Sequence, residues 1–236
     1  MTQVLVALAP DRPEALGRAL DVLTDEERER IGRFRRPADA ASFAAGRALA
    51  RLALAPLVDA SPRELVFDTW CEVHASPHGK PRLVQPAAQF DFSLSRAGSR
   101  LMLAVSSAPV GVDVERLDRD VEADVARIAF AEDERAELDA VPPNARAGAF
   151  LACWTRKEAV LKALGHGLAV DPKSVSVTFL ADVEPRIRRL PEEFGQPEAW
   201  SLVPFERDEW LAAVAVRAGP EVEVSDAQQL LDEAGL

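Results

Sequence analysis

The 236-residue chain has two cysteines, three histidines and no run of eighteen apolar residues. Each scarcity excludes something. Cys71 and Cys153 stand apart in apolar surroundings, which reads as two reduced, buried thiols of a cytoplasmic protein rather than a disulfide framework. His74, His78 and His166 share no metal-ligand spacing. The apolar runs are too short for a membrane span. Thr2 to Ala9 is a short apolar strand without the basic flank of a secretory leader. A G-x-x-x-x-G-K-[ST] loop is missing too, which counts against a nucleotide-using phosphotransferase of that kind.

Basic charge is scarce overall, at −11 net, but unevenly so. Residues 1–107 carry 14 Lys/Arg against 13 Asp/Glu, a net of +1; residues 108–236 carry 14 against 26, a net of −12. The first half can hold an anionic ligand while acidic groups opposite hold a metal. Nucleic acid does not fit this balance.

With 48% hydrophobic and 28% charged residues the chain is globular, long enough for one large domain or two of about 115 residues. Val4 to Leu8 reads as a strand and Pro13 to Leu23 as a helix. Thr24 and Glu27 form a capping box at the head of a second helix, and Pro37 opens an alanine-rich third. Arg47 and Arg51 lie one turn apart on it. Leu65 to Phe67 and Val73 read as strands. Phe90 to Ser95 and Leu101 to Ser106 read as a hairpin. Helices are expected at about 119–129, 131–140 and 145–164. Strands follow near 174–180, 185–190, 198–204, 209–217 and 221–225, then a last helix at about 226–234.

The halves echo each other. Asp25-Glu26-Glu27-Arg28 matches Glu132-Asp133-Glu134-Arg135, Ser61-Pro62-Arg63 matches Asp171-Pro172-Lys173, and Ala104-Val105 matches Ala213-Val214, at offsets of 107, 110 and 109. Three echoes in order point to duplication. The expectation is an α+β fold of two similar subdomains, 1–107 and 108–236, related by a pseudo-twofold. Each should be a small antiparallel sheet packed with a long helix, with a ligand cleft between.

Two stretches carry chemistry. In Gly111-Val112-Asp113-Val114-Glu115, period-two alternation sends the valines to one face and both carboxylates to the other. Such a pair repels itself unless a cation sits between, and hard oxygen ligands suit Mg2+. The helix Cys153 to Gly165 keeps Leu151, Trp154, Leu161 and Leu164 at helical spacing as a buried stripe. Glu158 and Lys162 share a face, and Gly165 ends the helix. A surface ion pair and a solvated strand end are the bland alternatives.

Together these stretches resemble the paired signature of the Sfp-type 4′-phosphopantetheinyl transferases. The second signature is long: Trp154-Thr155-Arg156-Lys157-Glu158-Ala159, then Lys162-Ala163, Gly165 and Gly167-Leu168. Gly79-Lys80-Pro81, Phe92-Ser93-Leu94-Ser95, Arg35-Arg36 and Gly46-Arg47 are similar to upstream features of the family. The resemblance spans about residues 30 to 170.

It implies a monomeric enzyme that moves phosphopantetheine from coenzyme A to a serine of an apo acyl or peptidyl carrier protein, releasing adenosine 3′,5′-bisphosphate. By the same resemblance Asp113, Glu115 and Glu158 hold Mg2+, and Glu158 deprotonates the serine directly or through water. Lys162 neutralises charge on the leaving phosphate. Arg47, Gly79, Lys80, Pro81, Ser93, Ser95, Arg96 and Lys157 line the coenzyme A side. Two positions depart from the pattern: Arg96 stands where the family has histidine, and Ser42 where some members have a basic residue. The rival readings are a different Mg2+ phosphotransferase and a non-catalytic module that binds coenzyme A or a carrier protein.

Overall fold

The strands are β1 (Thr2–Leu8), β2 (Val66–Asp68), β3 (Arg82–Gln85), β4 (Asp91–Ala97), β5 (Arg100–Ser106), β6 (Val110–Arg116), β7 (Ser176–Val177), β8 (Ile187–Arg189), β9 (Trp200–Arg207), β10 (Trp210–Arg217) and β11 (Val222–Asp226). The α-helices are α1 (Asp25–Ile31), α2 (Pro37–Leu54), α3 (Ala123–Ala129), α4 (Glu132–Ala140), α5 (Pro143–Leu164) and α6 (Gln228–Gly235). This computed structural model describes residues 2–70, 79–118, 123–165, 170–207, 209–217 and 221–235. The expected strand at Val73, the start of the helix expected at 119–129, and His74, His78 and His166 lie outside those residues. Pro13 to Leu23 differs from expectation: it is a 3-10 segment, Pro13–Val22, interrupted where Gly17 takes a positive φ of 52°.

The element order repeats. A strand leads into a helical stretch that ends on a short helix and a long one (a 3-10 segment, α1 and α2, then α3, α4 and α5), followed by a 3-10 turn, a short strand pair and a longer hairpin: β1 through β5, then β6 through β10. The sheets run β11-β1-β5-β4 and β6-β10-β9, with β2–β3 and β7–β8 as separate pairs. This is the α+β architecture expected, with one departure. The tail does not stay with the second half. β11 pairs parallel to β1, and Ala227 and Leu231 pack in the first core. Burying Leu231 there outweighs the longer return path, because loop closure penalties grow slowly with length.

The duplication extends to a buried ionic clamp that the echoes only partly reveal. Glu27, third residue of α1, binds Arg51 of α2 at 2.8 Å, and Arg51 also donates to the carbonyl of Leu65 at 2.9 Å. Glu134, third residue of α4, binds Lys157 of α5 at 2.7 Å, and Lys157 donates to the carbonyl of Val175 at 2.5 Å. Each clamp ties the capping helix to the long helix and to the turn after it. The Ala104/Ala213 echo fails as an equivalence. β5 and β10 begin at Arg100 and Trp210, so the echo is one residue out of step. Ala104 lies in the core between the sheets and Ala213 on the face under α5, since one residue of slip exchanges faces.

Three cores result. α2 covers the first sheet, α5 covers the second, and a third core of Val4, Met102, Ala104, Val112, Val114 and Val214 fills the space between the sheets. The stretch Pro37–Val58 is long and apolar enough for a membrane span, but 67% of it is buried within the fold, as suits a core helix.

Candidate functional site

The site is built on the side of β6 opposite the valines. Gly111 sets its depth. A Cβ there would stand 2.0 Å from the Ala159 carbonyl oxygen and 2.4 Å from the Ala163 nitrogen. Only glycine admits α5 this close to β6. The approach brings Lys162 over Asp113, with Nζ 2.6 Å from Oδ1.

The other wall is β4. Its side chains, not its backbone, satisfy the free edge of β6. The amides of Val110, Val112 and Val114 donate to Asp91 Oδ2 at 2.8 Å, Ser93 Oγ at 3.1 Å and Ser95 Oγ at 3.3 Å. Period-two spacing on both strands keeps the three contacts in step. Ser95 is the node where they meet the helix: Oγ donates to Asp113 Oδ1 at 2.8 Å and accepts from Lys162 Nζ at 3.0 Å.

From Phe150 onward α5 is buried nearly all round. Ala152, Trp154, Glu158 and Lys162 are its only half-exposed residues up to Leu164. The last three are spaced by four and form one line along the helix. The Trp154 indole donates to Glu115 Oε1 at 3.0 Å, so the tryptophan steadies a carboxylate of the strand rather than acting only as core.

Lys157 is corrected, and several other residues of the expected set meet protein partners in this structure. Lys157 is 1% exposed and its ammonium is spent on Glu134 and Val175, because it lies a hundred degrees round the helix from the open line. It faces the core, not a ligand. Lys80 points its ammonium at Asp91 and at the Val110 carbonyl, 2.7 Å away, clipping the Gly79-Lys80-Pro81 turn to the seam. Burial pushes Lys80 below the ordinary lysine value, with Asp91 opposing. Gly79 holds that turn by donating to the Thr69 carbonyl at 2.7 Å. Ser93 is buried and serves β6. Ser42 is buried inside α2, unable to take a basic residue's place on a phosphate.

The carboxylates are not gathered as a ready-made ion cage. Among the described residues no three His, Cys, Asp or Glu side chains are arranged to hold a metal together. Asp113 Oδ1 is taken by Lys162 and Ser95, and Glu115 is engaged by Trp154. One oxygen remains. Asp113 Oδ2 is buried without a hydrogen-bond partner. A buried carboxylate oxygen left open in this way suits a hard divalent cation, which takes few protein oxygens.

A second, cationic region lies on the α2 side of β4. Gly46 brings α2 close to β4: a Cβ there would stand 3.1 Å from Leu94 Cδ2 and 3.5 Å from Arg96 Cδ. The guanidinium of Arg47 lies 5.6 Å from the Phe67 ring and 5.8 Å from the Phe43 ring, and that of Arg30 lies 5.0 Å from Phe43. Desolvation lowers the pKa of Arg47, which Glu27 opposes and Arg30, Arg51 and Arg96 reinforce. Arg96 is lowered likewise by desolvation and by Arg30, with Asp39 opposing. Glu27 is already shared with Arg51, so positive charge is in excess here, as an anion site requires. Arg30 was missed in the sequence; its place one residue from the end of a short helix carried no signal.

Two family models divide the chain: 4′-phosphopantetheinyl transferase, N-terminal, over residues 9–108, and the 4′-phosphopantetheinyl transferase superfamily over residues 109–215. The 4′-phosphopantetheinyl transferase HetI of Nostoc sp. is 30% identical over 213 residues, covering 87% of this chain and 84% of its own. The chain belongs to the 4′-phosphopantetheinyl transferase family. A 4′-phosphopantetheinyl transferase of Bacillus subtilis is 29% identical over 175 residues, 73% of this chain and 75% of its own. Among solved structures, holo-[acyl-carrier-protein] synthase of Thermotoga maritima aligns with a TM-score of 0.40 and 23% identity, over 48% of this chain and 64% of that one. The synthase of Bacillus anthracis in complex with CoA (3′,5′-ADP) aligns at 0.38 and 21%, over 48% and 97%. In this transferase the first signature stretch, Gly111 to Glu115, lies on β6, and the second, from Trp154 to Lys162, lies on α5.

Proposed function

We propose that the protein transfers 4′-phosphopantetheine from coenzyme A to a serine hydroxyl of an apo acyl or peptidyl carrier protein, releasing adenosine 3′,5′-bisphosphate. The observation that carries the reading is the node of Asp113, Ser95 and Lys162 with Asp113 Oδ2 buried and open. The reaction is a displacement at phosphorus, which needs positive charge on the phosphates and an aligned nucleophile.

Asp113, Glu115 and Glu158 are the residues to hold Mg2+, which neutralises pyrophosphate charge when bound. Lys162 sits at the open line of α5, where it meets the leaving phosphate as charge develops. Glu158, one turn away on the same line, takes the serine proton, directly or through water. Arg47, Arg96 and Arg30 hold the phosphates of the adenosine end. Ser95 keeps Asp113 and Lys162 in register. In this reading residues 1–107 supply the coenzyme A side and residues 108–236 the carboxylates and the helix. Only the second half is armed: the helix-facing residues of β1 are Leu5 and Ala7, with no carboxylate. The protein works as a monomer in the cytoplasm, the duplication supplying within one chain what a dimer supplies across two.

The test is incubation of apo carrier proteins with coenzyme A and Mg2+, reading the mass gain on the serine. Glu158→Gln should abolish the gain while the denaturation midpoint holds. Failure to modify any of several acyl and peptidyl carriers would leave a binding module instead.

A further inference from the structure

Away from α5, at the end of the core between the sheets, two cavities adjoin. The first, about 270 Å3, is lined by Arg100, Arg207 and Trp210 among others; the second, about 400 Å3, by Pro10, Leu16 and Leu231; Leu8 and Gln228 line both. Together they fall in the usual size range of small-molecule sites, roughly 300–1,000 Å3.

The two ends differ in chemistry. At the first, the Arg100 guanidinium lies 5.1 Å from the Trp210 ring, a stacking that holds the cation in place. Neither Arg100 nor Arg207 has a carboxylate partner among the described residues. The buried indole nitrogen of Trp210 has no hydrogen-bond partner there either. Two carboxylates also border the cavities and are held back by Gln228: Asp226 Oδ1 accepts the Gln228 backbone amide at 2.8 Å, and Asp232 Oδ1 accepts Gln228 Nε2 at 3.1 Å. The second end is apolar, with Leu16 and Leu231 buried in its wall. Leu8, at the junction, is 45% exposed.

We propose that this groove binds a small amphipathic anion, a medium-chain carboxylate, with its head between Arg100 and Arg207 and its tail over Leu8 towards Leu16 and Leu231. The head matches two guanidiniums without an ion pair among the described residues, groups that bind carboxylates in a fork, and the tail covers apolar surface otherwise wet. The site is formed by β1, the β9–β10 hairpin and the returning tail, so its occupant ties the second half to the first. It shares no residue with the node on β6.

The probe is octanoate, titrated by calorimetry into the full-length protein, with acetate and octanol as head-only and tail-only controls. Octanoate should bind at least about tenfold more tightly than either control, and Arg100→Gln with Arg207→Gln should weaken it by about tenfold or more. Leu231→Gln tests the tail end, and coenzyme A binding should be unchanged in the arginine double variant, which shows that the fold is intact. Absence of octanoate binding, equal binding of octanol, or wild-type affinity in the arginine variant overturns the assignment.

Discussion

Lys162 Nζ and Asp113 Oδ1 stand 2.6 Å apart, and Ser95 Oγ bridges them from a third element. The lysine side chain is 29% exposed and the aspartate 7%, so the pair sits at the lip of the site, not in the core. Lys162→Met leaves the buried Asp113 one partner short and should cost about 1–3 kcal/mol of stability, while cutting transfer per folded molecule by about a hundredfold or more, the usual effect of losing one charge-stabilising group. Single-turnover mass spectrometry beside a urea curve separates the two effects. A rate within threefold or so of wild type would remove Lys162 from the chemistry.

Gly111→Ala tests how the site is held open to the helix. The new methyl would collide with backbone atoms of Ala159 and Ala163, at 2.0 and 2.4 Å, and backbone cannot rotate aside. Overpacking of this kind destabilises by about 3 kcal/mol or more. The urea midpoint should fall accordingly, and residual folded protein should transfer poorly because Lys162 moves off Asp113. An unchanged midpoint would mean that α5 does not press on β6 at this point.

The parts of this site that could be read in the sequence are those governed by local periodicity. Alternation placed Asp113 and Glu115 on one face of β6, and helical spacing placed Glu158 beside Lys162. What escaped depends on contacts across the fold. Lys157 adjoins Glu158 in the chain yet points into the core, where Glu134 awaits it from α4. Lys80 sits in a motif turn, but Asp91 on β4 turns it inward. The returning β11 and α6 could not be assigned to the first half, because a short amphipathic tail reads the same whichever core it covers. The sequence pattern points to three carboxylates for one cation; the lysine and the tryptophan that engage two of them are visible only once helix and strand are packed.

Lys157 gives the sharpest separation of structural from ligand roles. It is 1% exposed and Glu134 is 0%. Removing one partner of such a pair leaves a buried charge uncompensated, at about 3–5 kcal/mol. Lys157→Met should lower the chemical denaturation midpoint by that amount, and Lys157→Met with Glu134→Gln should recover part of it. Lys157→Arg should be tolerated best, because Arg51 fills the corresponding place in the first clamp. The rate per folded molecule should stay near wild type in each. A variant that keeps its stability and loses coenzyme A affinity would return Lys157 to the ligand side.

Arg96 stands where the family pattern has histidine, and the difference should be readable in pH. Desolvation and Arg30 lower the Arg96 pKa, but a guanidinium starts far above neutrality and keeps its proton. Wild-type affinity for coenzyme A should therefore hold or tighten slightly from pH 6 to 8, as the ligand's own phosphate, with a second pKa near 6, gains charge. Arg96→His replaces it with a group of ordinary pKa about 6.5. The imidazole is cationic below that value and neutral above it, so the phosphate contact is present at pH 6 and lost by pH 8. Calorimetric titration should show the variant weakening by about tenfold across this range, opposite in sign to the wild type. Parallel pH profiles for the two proteins would place Arg96 outside the phosphate site.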